Sequence, residues 1–230
     1  DLEPIQIAVP APRKPGRRFE SPLVVMYAFG SLIAVGTFLL WLPFFNTTKE
    51  FAPFMTALFT ATSASTVTGL VTVDTSTFWT RGGQVIIMGL ILVGGLGFMS
   101  TATFLLVVVT QRITLANQLI MREFLGVSQF SGLMRLTIQI VTVAMIFQIA
   151  GFGFYLWRFL PLFETNEAVW QAAFLSISSF NNAGFNIFPE SASLAKMQKE
   201  TWILGISAIL IILGGVSYSV LVDLLRFGRF

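Results

Sequence analysis

Long and short apolar segments alternate along this chain, and the same order occurs twice. The four long segments are residues 23–42, 84–110, 134–160 and 202–225. A helix needs about 20 apolar residues to cross the hydrocarbon core of a bilayer, so each long segment is predicted to be a transmembrane helix. The two short segments, residues 52–66 and 168–180, have the length of re-entrant helices. We expect Pro53 in the first turn of one, and Thr165 with Asn166 at the entry of the other.

Each short segment leads into a polar run that ends in a single glycine. In FTATSASTVTGL (residues 59–70) and FLSISSFNNAGF (residues 174–185), an aromatic residue stands seven positions before a four-residue run. The runs are Thr66, Val67, Thr68 and Gly69 in the first sequence, and Asn181, Asn182, Ala183 and Gly184 in the second. A span, a short helix, a polar return and a second span together make the layout of a re-entrant pore loop. Because the layout occurs twice, we interpret the chain as an ion-conducting membrane protein.

Further matches indicate an internal duplication. The offsets are 118 residues from Leu42-Pro43 to Leu160-Pro161, 115 from Gly69 to Gly184, and 120 from Gly94-Gly95 to Gly214-Gly215. The copies are parallel, since each is predicted to start and end on the same side of the membrane. The predicted fold is therefore an all-α polytopic membrane protein with two tandem span–pore helix–span (M1–P–M2) repeats, four transmembrane helices and two re-entrant pore loops.

This duplication predicts the following organisation. Residues 1–20 form a cytoplasmic tail, residues 21–111 the first repeat, residues 112–131 a cytoplasmic connecting helix, and residues 132–230 the second repeat. The connecting segment is amphipathic, and it either lies at the membrane surface or is a simple packed linker.

Composition favours a membrane protein and argues against an enzyme. Hydrophobic residues make up 55% of the chain, charged residues 11%, and the mean hydropathy is +0.80. A water-soluble domain of this size has too few polar residues at that composition to cover its core. The chain contains no cysteine and no histidine, which excludes thiolate catalysis and removes the commonest general base.

The distribution of charge predicts the orientation. Nine of the fourteen basic residues lie before the first span, in the central connection together with Arg135 at the start of the third span, or after the last span. By the positive-inside rule, both termini are predicted to be cytoplasmic. The opposite side is slightly acidic, which favours an approaching cation. The net charge of +3 is not arranged as a patch that would bind nucleic acid.

The two polar runs have the chemistry of a cation filter. A dehydrated cation needs oxygen ligands, and consecutive backbone carbonyl groups supply them. Aiming those carbonyls at one axis requires backbone conformations that glycine adopts at low steric cost. We therefore expect Gly69 and Gly184 to permit this conformation in the two runs. The short helix before each run would point its partially negative C-terminal end toward the ion. The alternative interpretation is two polar turns with ordinary turn glycines.

Three sequences in the chain are similar to a known family. TSASTVTGLVTVDT, VGGLGFMS and SSFNNAGFN resemble motifs of the Trk/Ktr/HKT superfamily of potassium transporters, and most closely the Ktr membrane subunits. The resemblance extends from Ser21 to the end of the chain. It implies four M1–P–M2 units around one pore, with Thr66 to Gly69 as the first filter segment and Asn181 to Gly184 as the second. The chain ends just past the second unit, so we expect half of a longer subunit or, alternatively, two chains that combine.

The resemblance also implies ions and partners. The transported ion is potassium, and sodium dependence is typical of the Ktr branch, although no residue here identifies a sodium site. The implied partners are the two remaining pore repeats, a second full-length subunit in a homodimer, a cytoplasmic nucleotide-binding ring of the KtrA type, and the lipid membrane. The gate of the family lies in the third unit. A non-conducting membrane scaffold built from the same repeats is the alternative function.

A few other residues have more than one interpretation. The span glycines either pack helices closely or mark a hinge; they are Gly94, Gly95, Gly97, Gly214 and Gly215. Asp74 either concentrates cations beside the first loop or has no such role. Arg81 is expected to be an interfacial anchor, and Asp223 to pair with Arg226 or with lipid headgroups.

Overall fold

Helices account for almost all regular structure in the part of the chain that the structure describes. The computed structural model describes residues 22–111, 129–188 and 200–216. Within these ranges there are seven α-helices, namely α1 (Pro22–Trp41), α2 (Phe54–Ser65), α3 (Thr75–Phe78), α4 (Arg81–Gln111), α5 (Gln129–Phe159), α6 (Thr165–Phe180) and α7 (Thr201–Gly215). A 3-10 helix also spans Pro43–Phe45. The predicted all-helical architecture is confirmed for these residues.

The helices form two groups with the same internal arrangement. The short helix α2 packs against both α1 and α4, and the short helix α6 packs against both α5 and α7. We call α1–α4 the first unit and α5–α7 the second unit. The units meet where α6 and α5 pack against α4.

The short helices begin at different residues from those expected. Pro53 is the N-cap of α2 and precedes its first turn. Thr165 and Asn166 are the first residues of α6, so the prediction that they cap it is wrong, and Glu164 takes that position. The carbonyl oxygen of Glu164 accepts the N–H of Ala168 at 2.8 Å, which starts the helix one turn earlier than the apolar pattern indicates.

Two other boundaries also differ from the predictions. Helix α5 begins at Gln129, so residues 129–131 belong to it and not to the predicted connecting helix. The remainder of that connection, residues 112–128, lies outside the described residues. Helix α7 ends at Gly215 and Val216 is extended, with ψ of 134°. The predicted continuation is therefore wrong at Val216, while residues 217–225, which include Asp223, lie outside the described residues.

The buried apolar side chains of the described residues form two clusters, and the first of them contains residues from both units. Its members from the first unit include Leu40, Ala57, Ala61, Ile87 and Ile91. Its members from the second unit are Phe174, Ala183, Phe185 and Ile187. The second cluster, around Phe159, contains only second-unit residues among its fully buried members. The second unit therefore contributes its short helix and the following segment to the core of the first.

A buried group of hydroxyls joins the three helices of the second unit. The hydroxyl of Tyr155 on α5 lies 2.6 Å from that of Ser207 on α7 and 3.2 Å from that of Ser179 on α6. The matching positions of the first unit are Thr37, Ala64 and Ile87, of which the last two are fully buried apolar residues. Hydrogen bonds therefore join the second unit where apolar contact joins the first.

The lengths and apolarity of the helices are compatible with membrane spans. Among the described residues, Ile138–Phe159 is long and apolar enough to cross a bilayer, and there are three shorter apolar stretches, Met26–Trp41, Arg81–Gly97 and Thr201–Gly215. Helices α4 and α5 have 31 residues each, or about 46 Å at about 1.5 Å per residue. This exceeds the hydrocarbon thickness, as expected for a tilted or protruding helix. The number of spans stays a prediction.

The hydroxyl group in the second unit leads to a test of stability. Tyr155→Phe leaves Ser179 and Ser207 without their shared partner in a buried site, so we expect a loss of about 1–3 kcal/mol in unfolding free energy. The measurement is the melting temperature of detergent-solubilised protein. Thr142→Ala is the control on the same helix, since its exposed hydroxyl donates to the carbonyl oxygen of Ile138. Equal melting temperatures for the two variants would contradict this expectation.

Candidate ion-conduction site

The two short helices end in the same hydrogen-bonded motif. In each, the N–H groups of the two residues beyond the helix C-cap donate to carbonyl oxygens of the last turn, which is a Schellman motif. The pairs, with the N–H donor first, are Val67 with Ala64 at 3.3 Å, Thr68 with Ser63 at 3.0 Å, Asn182 with Ser179 at 3.2 Å, and Ala183 with Ser178 at 2.8 Å. Every bond of the first motif thus has its counterpart 115 residues later.

The segments after these helices, residues 66–69 and 181–184, are here called the first and second glycine loops. Both have the same alternation of backbone conformation. The sign of φ is negative, positive, negative, positive in each, with values of −93° at Thr66, 51° at Val67, 73° at Gly69, −81° at Asn181, 58° at Asn182 and 72° at Gly184. A left-handed residue turns over the peptide plane relative to a right-handed neighbour. The first positive φ of each loop lies at the residue after the C-cap, where a Schellman motif needs it, and the second lies at the glycine.

The glycines of the two loops lie against each other. A Cβ atom added to Gly69 would be 2.6 Å from the carbonyl oxygen of Ala183 and 3.0 Å from the Cα of Gly184. A Cβ atom added to Gly184 would be 3.2 Å from the Cα of Gly69. Both φ and space thus exclude a side chain at Gly69. The sequence predicted the first reason but not the second, because the second depends on contact between the loops.

Val67 occupies a backbone conformation that suits it poorly. Its φ of 51° is left-handed, and β-branched residues are rare there because their side chains crowd the backbone. Asn182 holds the matching position of the second loop, and asparagine is among the residues favoured at this point of a Schellman motif. The first loop therefore stores backbone strain that the second does not.

The polar side chains of the loops bond to neighbouring protein groups. Thr66 donates to the carbonyl oxygen of Thr62 at 2.8 Å, and Asn181 donates to that of Ile177 at 2.8 Å. The Thr68 hydroxyl lies 3.0 Å from that of Ser63. These bonds engage the polar side chains with neighbouring protein groups and leave the backbone carbonyls of residues 66–69 and 181–184 as candidate ligands.

Asn182 connects its loop to α7. In the amide orientation that satisfies both atoms, its nitrogen donates to the carbonyl oxygen of Ile211 and its oxygen accepts the N–H of Gly215, both at 3.3 Å. Val67, at the matching position, has no polar group with which to bond α4 in this way. Helix α7 ends at Gly215, while α4 continues to Gln111.

Glycines in α4 and α7 receive the ends of the short helices. A Cβ atom on Gly94 would overlap the carbonyl oxygen of Ser65, and one on Gly214 would overlap that of Phe180. A Cβ atom on Gly95 would be 2.8 Å from the amide carbon of Asn181. These contacts support the packing interpretation for Gly94, Gly95 and Gly214.

The other two span glycines have more space around them. A Cβ atom on Gly97 would make its nearest contact at 3.6 Å, with the ring of Phe29. One on Gly215 would meet Asn182 at 3.8 Å. Both are ordinary van der Waals distances, so close packing does not require glycine at these two positions.

The surroundings of the two loops differ. Asn181 and Ala183 are buried, while Thr66 and Thr68 at the matching positions are exposed. The same contrast continues beyond the loops, since Phe185 is 2% exposed and Leu70 is 62% exposed. The first unit covers one face of the second loop, and the corresponding face of the first loop is open among the described residues.

Two charged residues near the loops have structural partners. Asp74 is the N-cap of α3, and its carboxylate accepts the backbone N–H of Ser76 at 2.9 Å. Arg81 lies 3.1 Å from Glu167 of the second unit. The sequence predicted neither contact. For Asp74 only a role in concentrating cations was considered, and Glu167 is too distant in sequence from Arg81, at 86 residues, for a pattern to connect them.

The glycine contacts give a matched pair of substitutions. We expect Gly214→Ala to lower the melting temperature markedly, because the new methyl group would overlap the Phe180 carbonyl and push the end of α6 away. Gly215→Ala is the control, since its Cβ has ordinary contacts. Thermal unfolding of the purified variants is the measurement, and equal melting temperatures would disprove the close contact.

The strain at Val67 leads to a second pair of substitutions, whose expected effects on stability are opposite. Val67→Asn is expected to stabilise the protein by about 1 kcal/mol, because asparagine tolerates left-handed φ. Asn182→Val is expected to destabilise it, because the variant gains strain and loses both amide bonds to α7. Melting temperatures that shift in the same direction for both variants would contradict the assigned conformations.

Comparison with known proteins identifies the family. Residues 16–227 match the TrkH family, described as cation transport proteins. The potassium/sodium uptake protein NtpJ of Enterococcus hirae is 36% identical over 218 residues, which cover 94% of this chain and 48% of the relative. The Ktr system potassium uptake proteins B of Bacillus subtilis and Vibrio alginolyticus are each 34% identical, over 93% and 96% of this chain and 47% and 48% of the relatives.

The matches differ in how much of each protein they cover. The chain spans about half the length of the curated relatives it matches. The family match, in contrast, includes nearly all of its residues and confirms the resemblance inferred from the motifs. The chain therefore belongs to the TrkH family of cation transport proteins.

Proposed function

We propose that this chain forms half of the pore of a potassium uptake protein, with the carbonyl groups of the two glycine loops as part of its selectivity filter. The observation that carries the proposal is the alternation of φ, identical in sign in both loops, together with the contact between Gly69 and Gly184. Two neighbouring loops of like conformation are suited to line adjacent sides of one ion path, with further loops needed to complete a ring of carbonyl ligands.

The electrostatics of the short helices favour a cation at the loops. Ser65 and Phe180 are the last residues of α2 and α6, and each directly precedes its glycine loop. The C-terminal end of a helix has a partial negative charge of about half an elementary charge. Both helix ends would therefore stabilise a cation near the loops. The relatives named above are potassium uptake proteins, and NtpJ is named for sodium as well, so potassium is the proposed ion and sodium a second one.

The contact between the units supports a larger ring. It is head-to-tail, because Gly95 of the first unit contacts Asn181 of the second, while Gly215, which matches Gly95, is exposed. A head-to-tail contact repeated around an axis closes into a ring where the rotation between successive units divides a full turn. Two further units, from the same polypeptide or from a second chain, would cover the open face of the first loop and the exposed Gly215. The greater length of the relatives agrees with this.

The exterior of α5 supports a location in the lipid bilayer. Its outward-facing side chains are large and apolar, for example Ile146, Ile149, Phe154 and Trp157. An apolar exterior of this kind is unfavourable in water and suits contact with lipid. We propose four spans with both termini in the cytoplasm. A homodimer of full-length subunits and a nucleotide-binding ring of the KtrA type complete the proposed assembly.

A serine substitution at the first loop tests this function. Gly69→Ser, in the full-length transporter, is expected to lower the ratio of potassium to sodium uptake, because its side chain would displace the Ala183 carbonyl. The measurement is ion uptake, and growth at limiting potassium, in cells that lack their own potassium uptake systems. Gly89→Ser is the control, since a Cβ there meets nothing within 4 Å.

Two results would count against the proposal. An unchanged uptake ratio in Gly69→Ser, at normal expression, would mean that the first loop is not part of a filter. Transport that withstands substitutions in both loops would favour a non-conducting scaffold built from the same repeats.

A further inference from the structure

We propose that Gln84 is a positioning residue that holds the two glycine loops at a fixed spacing and so contributes to ion selectivity. The inference rests on the proposed filter function. It concerns a side chain on α4 that touches neither loop directly and that bonds to segments of both units.

Gln84 is almost fully buried, and both ends of its amide are bonded. Its nitrogen donates to the carbonyl oxygens of Trp79 at 3.1 Å and Thr75 at 3.3 Å. Its oxygen accepts the indole N–H of Trp170 at 2.6 Å. The side chain is 6% exposed, so these bonds form where water does not compete with them. We call these three contacts the Gln84 bridge.

The Gln84 bridge connects the two loops through the segments that support them. Thr75 and Trp79 belong to the return segment that follows the first loop. Trp170 lies on α6, which leads directly into the second loop. Trp170 is 11 residues before Asn181, or about 16 Å along one helix. A rotation or shift of α6 at Trp170 would therefore move the second loop relative to the first.

A neighbouring ion pair connects the same two helices but is much less enclosed. The side chains of Arg81 and Glu167 are 63% and 36% exposed. Exposed ion pairs add little to rigidity, because water and salt screen them. Gln171, one position beyond Trp170, bonds instead to its own unit, donating to the carbonyl oxygen of Ile187 at 2.8 Å. Gln84 is thus the buried polar connection between the units at this end of α4 among the described residues.

The Gln84 bridge has no counterpart within the duplication. The position that matches Gln84 in the second unit is Leu204, and the position that matches Trp170 in the first unit is Met55. Met55 is 72% exposed and cannot donate a hydrogen bond through its side chain. The bridge therefore belongs to this one junction, and shared ancestry of the units does not account for it.

Fixed spacing between the loops bears on which ion they accept. Carbonyl ligands discriminate potassium from the smaller sodium ion through the size and field strength of their cage, and a cage that contracts freely discriminates less. Loss of the bridge would let the second loop shift against the first. We therefore expect lower discrimination rather than loss of transport.

The test uses the full-length transporter reconstituted in lipid vesicles, with uptake of potassium and of sodium measured separately. Trp170→Phe keeps the aromatic packing and removes the bond to Gln84, so the potassium-to-sodium uptake ratio is expected to fall several-fold. Gln84→Leu is expected to lower the ratio at least as far. The double variant is expected to match Gln84→Leu, since both changes break the same bond. Arg81→Gln, which removes the exposed ion pair nearby, is the control and should leave the ratio unchanged.

The outcomes separate this inference from the proposed function. An unchanged ratio in Trp170→Phe and Gln84→Leu, with Gly69→Ser still altering it, would overturn the role of the Gln84 bridge and leave the filter assignment standing. An unchanged ratio in all three would overturn both. A fall in folded protein and total uptake at constant ratio would make Gln84 merely structural and would also overturn the inference. Should Gln84→Leu fail to fold, Trp170→Phe alone decides.

Discussion

The arrangement of this protein depends on the backbone contact between Gly69 and Gly184. Both residues have left-handed φ, and the main chains approach so closely that the space of a side chain at Gly69 is filled by the Ala183 carbonyl. Such an approach is possible only if the preceding helices are held in place. The close contacts at Gly94 and Gly214 provide that constraint, because the last carbonyl groups of α2 and α6 pack directly against these two glycines. Helix packing and loop geometry are thus parts of one interaction.

The hydrogen bonds and contacts of the loops determine their backbone conformation, even where a residue's own conformational preference opposes it. Val67 is a poor choice for a left-handed position, and yet it adopts nearly the same φ as Asn182. The Schellman bonds at the end of α2 and the contact with the second unit over-determine the conformation. Identical backbone bonds with different side chains indicate that the backbone conformation, not the side chains, is the shared property of the two loops.

Sequence patterns predicted the features that depend on local or repeated residues. Apolar length and the matched motifs located the helices, and the lone glycines located both loops. Capping preference failed at Thr165 and Asn166, because it cannot tell which of several polar residues starts a helix. The contact between Gln84 and Trp170 was also beyond prediction, since it joins residues 86 positions apart that the duplication does not repeat. The one available signal was an amide at the start of a long apolar segment.

Because the contact is head-to-tail, the two units contribute different surfaces to the junction, although their helices correspond. The first unit presents Gln84 and Gly95 at the junction, and the second presents Trp170 and Asn181. If the coding segments for the two units were exchanged, Leu204 would face Met55, and the new junction would lack its buried hydrogen bond. Gene duplication alone therefore does not produce this junction. The two units therefore have a fixed order at this junction, and in the proposed pore that order would set the direction in which units follow one another.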